Sequence, residues 1–186
     1  LQRLPFGGGK GGIKFNPSNY SKNELENISK SFSIALSRYI GEDIDIPAPD
    51  LGTNSQIMDW MSTSYGLNNK KNCRAVFTGK SIICGGSQGR NEATGKGIYH
   101  CVKEWARLNN INLQGKTYIV QGFGNVGSNT AKFLSQLGMV LVGVGDYTGY
   151  YYNEEGFNPY KLREYIQKNG SLKEYTSGKN INKEDF

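Results

Sequence analysis

The sequence predicts an α/β chain in two parts, and three observations carry that prediction. The first is a strand–turn–helix–strand unit: "KTYIVQG" reads as a short buried strand, Gly122-Phe123-Gly124-Asn125-Val126-Gly127 as a tight turn, the next residues as a helix, and "MVLVGVGD" as a second strand. The second is a pair of S/T-x-x-E/Q capping patterns nearer the start, each opening a helical run, with strand-like alternation between them. The third is a change of texture from Leu67 to Gly89, where the chain is polar and turn-rich apart from "AVF" and "SIIC". Together they predict part of an N-terminal α/β domain over residues 1–83 and the first half of a Rossmann-like domain over residues 84–186.

Each element has its own signal. Ser21 and Glu24 form the first capping pattern, and Leu25, Ile28, Phe32, Ala35, Leu36 and Tyr39 recur at helical spacing until Gly41. "DIDIP" alternates like a strand and enters a rigid turn, Pro47-Ala48-Pro49-Asp50-Leu51-Gly52. Thr53 and Gln56 form the second capping pattern, opening a helix through Trp60 towards Gly66. Glu92 to Leu108 is a third helix, with Ile98, Cys101, Val102, Trp105 and Leu108 on its expected inner face. The helix after the glycine turn places Ala131, Phe133, Leu134 and Leu137 on its apolar positions. Beyond Asp146, "YTGYYYNEEGF" reads as a hairpin, Pro159 to Lys168 as a helix with proline at its first position and Gly170 at its end, and "TSGKNINKEDF" as an exposed polar stretch.

A lone G-x-G-x-x-G says little, but here it follows a strand, opens a helix and is followed by an acid, Asp146, 19 residues after Gly127. In that setting Gly122 permits the turn, Gly124 lets a pyrophosphate approach the backbone, and Gly127 lets the helix pack closely on the strand. The phosphates would lie at the positive end of the helix. Asp146 would accept hydrogen bonds from the adenine ribose and repel a 2'-phosphate, which favours NAD over NADP.

Composition excludes several function classes. The hydrophobic share of 37% suits a globular protein, and no apolar run approaches the roughly 18 residues that cross a bilayer. The net charge of +6 is spread among Asn, Ser and Glu, without a basic block or an aromatic-laced basic face, so no nucleic acid is expected as a partner. Cys73, Cys84 and Cys101 have neither metal-ligand nor C-x-x-C spacing; no metal is expected, and a reduced, cytoplasmic setting fits them. His100 is the single histidine and fits no catalytic pattern.

One string is unusual. "LPFGGGKGGIKFNP" sets Lys10 among Gly7, Gly8, Gly9, Gly11 and Gly12. A phosphate loop fails on spacing, because Leu4 and Gly11 occupy the places that need glycine and Ser or Thr; Lys80 and Lys116 fail likewise, with Arg74 and Asn110 at the first-glycine positions. Two readings stay open for Lys10: a lysine whose ammonium is crowded by backbone and so has a lowered pKa, or a solvated lysine in an ordinary loop. Asp50 likewise reads either as a functional acid or as a turn aspartate bonding its own backbone.

Four strings in this order, "LPFGGGKGGIKFNP", "IPAPDLGT", "GGSQGRNEATGKG" and "GFGNVG", resemble the glutamate dehydrogenases of the family that also holds the leucine, phenylalanine and valine enzymes. The resemblance runs over nearly the whole chain. It implies that Lys10 faces the substrate α-carbon in a glycine loop that brings main chain close and excludes water, that Asp50 shuttles a proton to and from the amino nitrogen, and that Ala48 and Pro49 shape the substrate site through their backbone. It implies that Arg90 and Thr94 approach substrate and nicotinamide carboxamide. The turn from Gly122 to Gly127, with Phe123, Asn125 and Val126, would hold the cofactor. Leucine-type members lack "GRxEATG", so L-glutamate, with 2-oxoglutarate and ammonia as products, is the expected substrate. Members of the family are more than twice this length, so the resemblance also implies an internal fragment, inactive alone, of a homo-oligomer, commonly a hexamer. The alternatives are a dehydrogenase of an apolar amino acid such as leucine, or a non-catalytic dinucleotide-binding module.

Overall fold

The computed structural model describes residues 3–5, 7–70 and 74–186, so Phe6 of the glycine-rich string and Cys73 lie outside the described residues. The chain divides into two compact units, Leu1–Ser87 and Gln88–Phe186. The division falls after Ser87 because the one-turn 3-10 helix Ile82–Cys84 folds back on the preceding segment: the Gly86 N–H donates to Ser81 O at 2.8 Å.

In the first unit two helices supply the frame. Helix α1 (Lys22–Leu36) begins at Ser21, whose side chain accepts the Glu24 N–H while the Glu24 carboxylate accepts the Ser21 N–H, the reciprocal box expected from sequence. It stops at Leu36, ahead of Gly41. Helix α2 (Ser55–Asn69) packs on it around Met58, Met61 and Tyr65, with Ile40, Val76 and Phe77 closing the core. Burying side chains of the size of Met58 and Phe77 is worth roughly 1.5–3 kcal/mol each. Two polar side chains of this core are paired: Ser33 Oγ donates to Met61 O at 2.7 Å and Tyr65 Oη to Ile40 O at 3.0 Å.

Two expectations for this unit are corrected. "DIDIP" is not a strand; no strand occurs among the described residues of the unit, and Ile44 and Ile46 point outward, since alternation alone cannot hold a strand that has no neighbour to pair with. The cap of α2 is Asn54, which accepts the Ile57 N–H, because the Thr53 hydroxyl is already committed to Asp50.

In the second unit α3 (Arg90–Leu108) precedes a four-stranded sheet in the order β1 (Thr117–Gln121), β2 (Val140–Asp146), β3 (Gly149–Phe157) and β4 (Lys179–Ile181). β1 and β2 run parallel across the α4 (Asn125–Ser135) crossover, and β2/β3 and β3/β4 are antiparallel. "YTGYYYNEEGF", expected to be a hairpin, is instead the turn at Tyr147 and Thr148 followed by the single strand β3, whose hairpin partner is β2, and the polar tail contributes β4. Helix α5 (Pro159–Asn169) starts at proline and ends at Gly170 in the left-handed conformation, as its sequence predicts. The core is Val120, Phe123, Ala131, Leu141, Val144, Tyr151, Phe157, Leu162 and Leu172.

The inner face of α3 is not the expected one. Gly95 and Ala106 are buried, whereas Cys101, Ile98, Trp105 and Leu108 are exposed. Close approach decides it: a Cβ on Gly95 would stand 2.7 Å from the backbone nitrogen of Thr130, so the glycine face, not the bulky face, meets α4.

Candidate functional site

In the first unit the site is built on the turn between residues 47 and 53. The Thr78 N–H donates to Pro47 O at 3.0 Å, and Gly79, at φ +70°, is so close that a Cβ there would meet the Pro49 ring at 2.4 Å. The other end of the turn is closed by Thr53, whose Oγ accepts the Asp50 N–H at 2.6 Å and donates to Asp50 O at 2.7 Å. With both ends held, the Asp50 carboxylate is divided: Oδ1 accepts the Leu51 N–H at 2.8 Å, and Oδ2 faces Lys10 Nζ at 2.7 Å. The hydrogen bond from Lys10, and after it the one from Leu51, holds the Asp50 carboxyl below the usual aspartate range.

So the two residues singled out as catalytic, forty positions apart, meet. The crowding expected around Lys10 is not present among the described residues. Beyond the glycine and its chain neighbours, no atom of the described residues lies within 4 Å of a Cβ placed on Gly7, Gly8, Gly9, Gly11 or Gly12, and the Lys10 side chain is 87% exposed. The loop runs as irregular backbone over the surface, so what orients the ammonium is the Asp50 carboxylate and not surrounding main chain. Ala48 is exposed, and Pro49 is half-buried against Gly79.

Behind this turn lies Lys80, buried at 8% exposure, with Nζ donating to Arg74 O at 2.7 Å and to Phe77 O. Burial pushes its pKa down, with the nearby Asp59 carboxylate opposing the shift.

The second unit supplies a cradle at the start of α4. Gly122 has φ +87°, and its N–H donates to Gly145 O at 2.7 Å, setting the glycine turn beside the end of β2. A Cβ on Gly127 would fall 1.9 Å from Gly122 O, whereas one on Gly124 would meet nothing. The first is therefore where helix and strand touch, and the second is open to an approaching group. Gly124 caps α4 without any side chain, and the first intrahelical bond is given by Ser128 to Gly124 O, so the earlier N–H groups have no acceptor within the helix and suit an anion. These features fit a dinucleotide pyrophosphate. Asn125 and Val126 are exposed there, but the Phe123 side chain is in the core at 4% exposure, so Phe123 can offer a ligand only its backbone.

Asp146 lies at the end of β2, beside the turn, and is more occupied than its expected role requires. Oδ1 accepts the Thr148 N–H at 2.7 Å and the Thr148 hydroxyl at 2.5 Å, and Oδ2 accepts the Leu172 N–H at 2.8 Å. Arg90 and Thr94 sit one turn apart at the start of α3, and the Asn129 side chain ties that start to α4 by donating to Asn91 O at 3.0 Å. The Glu92–Lys132 ion pair, 2.7 Å, joins the same two helices, and Lys132 is the main reason the Glu92 carboxyl is held low. Among the described residues no group of three or more His, Cys, Asp or Glu could hold a metal ion.

The family model for glutamate/leucine/phenylalanine/valine dehydrogenase matches residues 85–185, and the model for the dimerisation domain of the same dehydrogenases matches residues 1–66. The chain belongs to the Glu/Leu/Phe/Val dehydrogenase family.

Among members of that family, a glutamate dehydrogenase of Thermotoga maritima is 41% identical over 100% of this chain and 45% of its own length. A cryptic catabolic NAD-specific glutamate dehydrogenase of Bacillus subtilis is 45% identical over 83% of this chain and 36% of its own. An NADP-specific glutamate dehydrogenase of Saccharolobus shibatae is 40% identical over 100% and 44%. The chain thus spans less than half the length of these relatives. Among solved structures, the hetero-hexameric glutamate dehydrogenase from Thermus thermophilus matches with a TM-score of 0.82 at 34% identity, covering 85% of this chain and 38% of that one. The Peptoniphilus asaccharolyticus enzyme matches with 0.70 at 41%, covering 91% and 44%.

Within this family setting three residues near the site escape the motif reading: Thr53, Lys80 and Asn129. Asp50-x-x-Thr53 is a turn pattern that could have revealed the first. Asn125 and Asn129 stand four apart on a helix, a spacing that signals contact. Nothing local signals that Lys80 is buried.

Proposed function

We propose that the protein carrying this chain catalyses the reversible oxidative deamination of L-glutamate to 2-oxoglutarate and ammonia, with NAD. The observation that carries the reading is the 2.7 Å contact between Lys10 Nζ and Asp50 Oδ2, made by residues from two family-like strings. A nicotinamide dinucleotide, when bound, supplies the hydride acceptor. The chain's own residues handle charge and protons. Lys10 polarises the oxygen of the 2-oxo acid and stabilises negative charge as water adds or leaves, and Asp50 takes up and returns the proton of the amino nitrogen. As an exposed ion pair they are weakly bound to each other, so a substrate bearing both an amino group and an oxygen can part them at small cost.

The turn Gly122 to Gly127 and the uncapped start of α4 would hold the pyrophosphate, and Arg90 and Thr94 of α3 would serve substrate and carboxamide. NAD rather than NADP follows from the Asp146 carboxylate beside the turn, which opposes a 2'-phosphate even with its hydrogen bonds in use. A hexameric assembly, as in the Thermus thermophilus relative, belongs to the same reading. So does a cytoplasmic setting, in keeping with free thiols at Cys84 and Cys101. The test is reduction of NAD and of NADP by the full-length protein, followed by nicotinamide absorbance, with L-glutamate and L-leucine side by side. Faster turnover with glutamate and NAD is expected; faster turnover with leucine would move the reading to an apolar substrate, and NADH binding without turnover to a non-catalytic module.

A further inference from the structure

Asn129 lies one helical turn after Asn125 on α4 and is completely buried, at 0% exposure. A buried amide is costly unless its polar atoms are paired, and here all are. Nδ2 donates to Asn91 O at 3.0 Å, to Asn125 O at 2.9 Å and to Asn125 Oδ1 at 3.0 Å, and Oδ1 accepts from the Arg163 guanidinium at 3.3 Å. Two backbone carbonyls on one side and a guanidinium on the other leave the Asn129 amide a single orientation. That orientation acts on its neighbour. Asn125 must turn its Oδ1 inward, because its NH2 there would face the Asn129 NH2, donor against donor. The Asn125 side chain, exposed at the first position of α4, is thereby left with its NH2 as the half directed to solvent.

We propose that Asn129 is a positioning residue for the dinucleotide: it locks the Asn125 amide with its NH2 outward, as a ready donor to the bound cofactor. An unlocked asparagine would present oxygen as often as nitrogen, and oxygen repels an anionic ligand. The inference rests on the reading that Asn125 contacts the cofactor.

The experiment is a double-mutant cycle, with NADH titrated calorimetrically into the full-length protein, Asn125→Ala, Asn129→Ala and the double variant. Asn125→Ala is expected to raise Kd by roughly three- to tenfold, the worth of one hydrogen bond, and Asn129→Ala by about twofold, because the competent orientation is then populated about half the time. The double variant is expected to bind no worse than Asn125→Ala, because Asn129 acts only through Asn125. Equal losses from Asn129→Ala with and without Asn125 would reveal a purely structural role and overturn the proposal. NADH binding unchanged by Asn125→Ala would overturn it too, while leaving the dehydrogenase reading in place; no NADH binding by the parent protein would overturn both. Should Asn129→Ala fail to fold, Arg163→Met, which removes the donor to Asn129 Oδ1, carries the same cycle. A smaller loss that vanishes in the Asn125→Ala background is expected, and no loss in either background would overturn the proposal.

Discussion

At the scale of single residues, Asp50 divides its carboxylate between two partners, with one oxygen on the Leu51 N–H and the other on Lys10. Because the Lys10 hydrogen bond is the main cause of its lowered pKa, Lys10→Ala is expected to move the Asp50 titration, followed by side-chain NMR, up towards the ordinary aspartate value. The sign follows from linkage. A depressed carboxyl pKa gives stability that is present above the unfolded value and lost as pH falls through the folded one. An unmoved titration would show that the pair does not form in solution. Asp146 divides itself similarly, tying the end of β2 to Thr148 and to the N–H of Leu172, whose residue is fully buried. Asp146→Ala leaves that N–H unpaired, so thermal unfolding is expected to show a loss of about 1–3 kcal/mol. Full stability in the variant would mean the contacts carry no weight.

Among the elements, the glycine turn has one tightly packed position and one open one. On Gly127 a Cβ would collide with backbone at 1.9 Å, and on Gly124 it would meet open space. Gly127→Ala is therefore expected to cost about 1–3 kcal/mol of stability and to lose NADH affinity. Gly124→Ala is expected to keep the parental melting temperature and lose NADH affinity alone, since its new methyl stands where a pyrophosphate must approach. Melting and titration of the two variants check this, and equal destabilisation by both would contradict it. The same elements show what local sequence can express. The Ser21–Glu24 box, the Pro159 start and Gly170 end of α5, and the strand–turn–helix–strand order are legible because capping and turn chemistry act over a few residues. "DIDIP" is misread because a strand needs a distant partner. The inner face of α3 is misread because Gly95 wins by close approach, which hydrophobic periodicity does not register. In the candidate site Lys10 and Asp50 are legible as residue types in distinctive strings, but the contacts of Lys80 with Arg74, of Asp146 with Leu172 and of Asn129 with Asn91 span six to thirty-eight positions.

At the scale of the whole molecule, each unit carries its own core, one around Met58 and Phe77 and the other around Leu141 and Leu162. No helix among the described residues is long and apolar enough to cross a membrane. The net charge of +6 is diffuse, so a gel-shift titration with duplex DNA is expected to show no salt-dependent complex at moderate ionic strength, and a steep salt slope would reassign the basic surface. The division also separates the two candidate sites: the Lys10–Asp50 pair lies in the first unit and the Gly122–Gly127 turn in the second. A substitution in the pair should strike chemistry and spare cofactor binding. The most direct measurement is steady-state turnover of L-glutamate by the full-length Lys10→Ala variant, with its NADH affinity measured in parallel. A fall of at least about a hundredfold in kcat with unchanged NADH Kd is the predicted result, and turnover within about tenfold of the parent would contradict a catalytic role for Lys10.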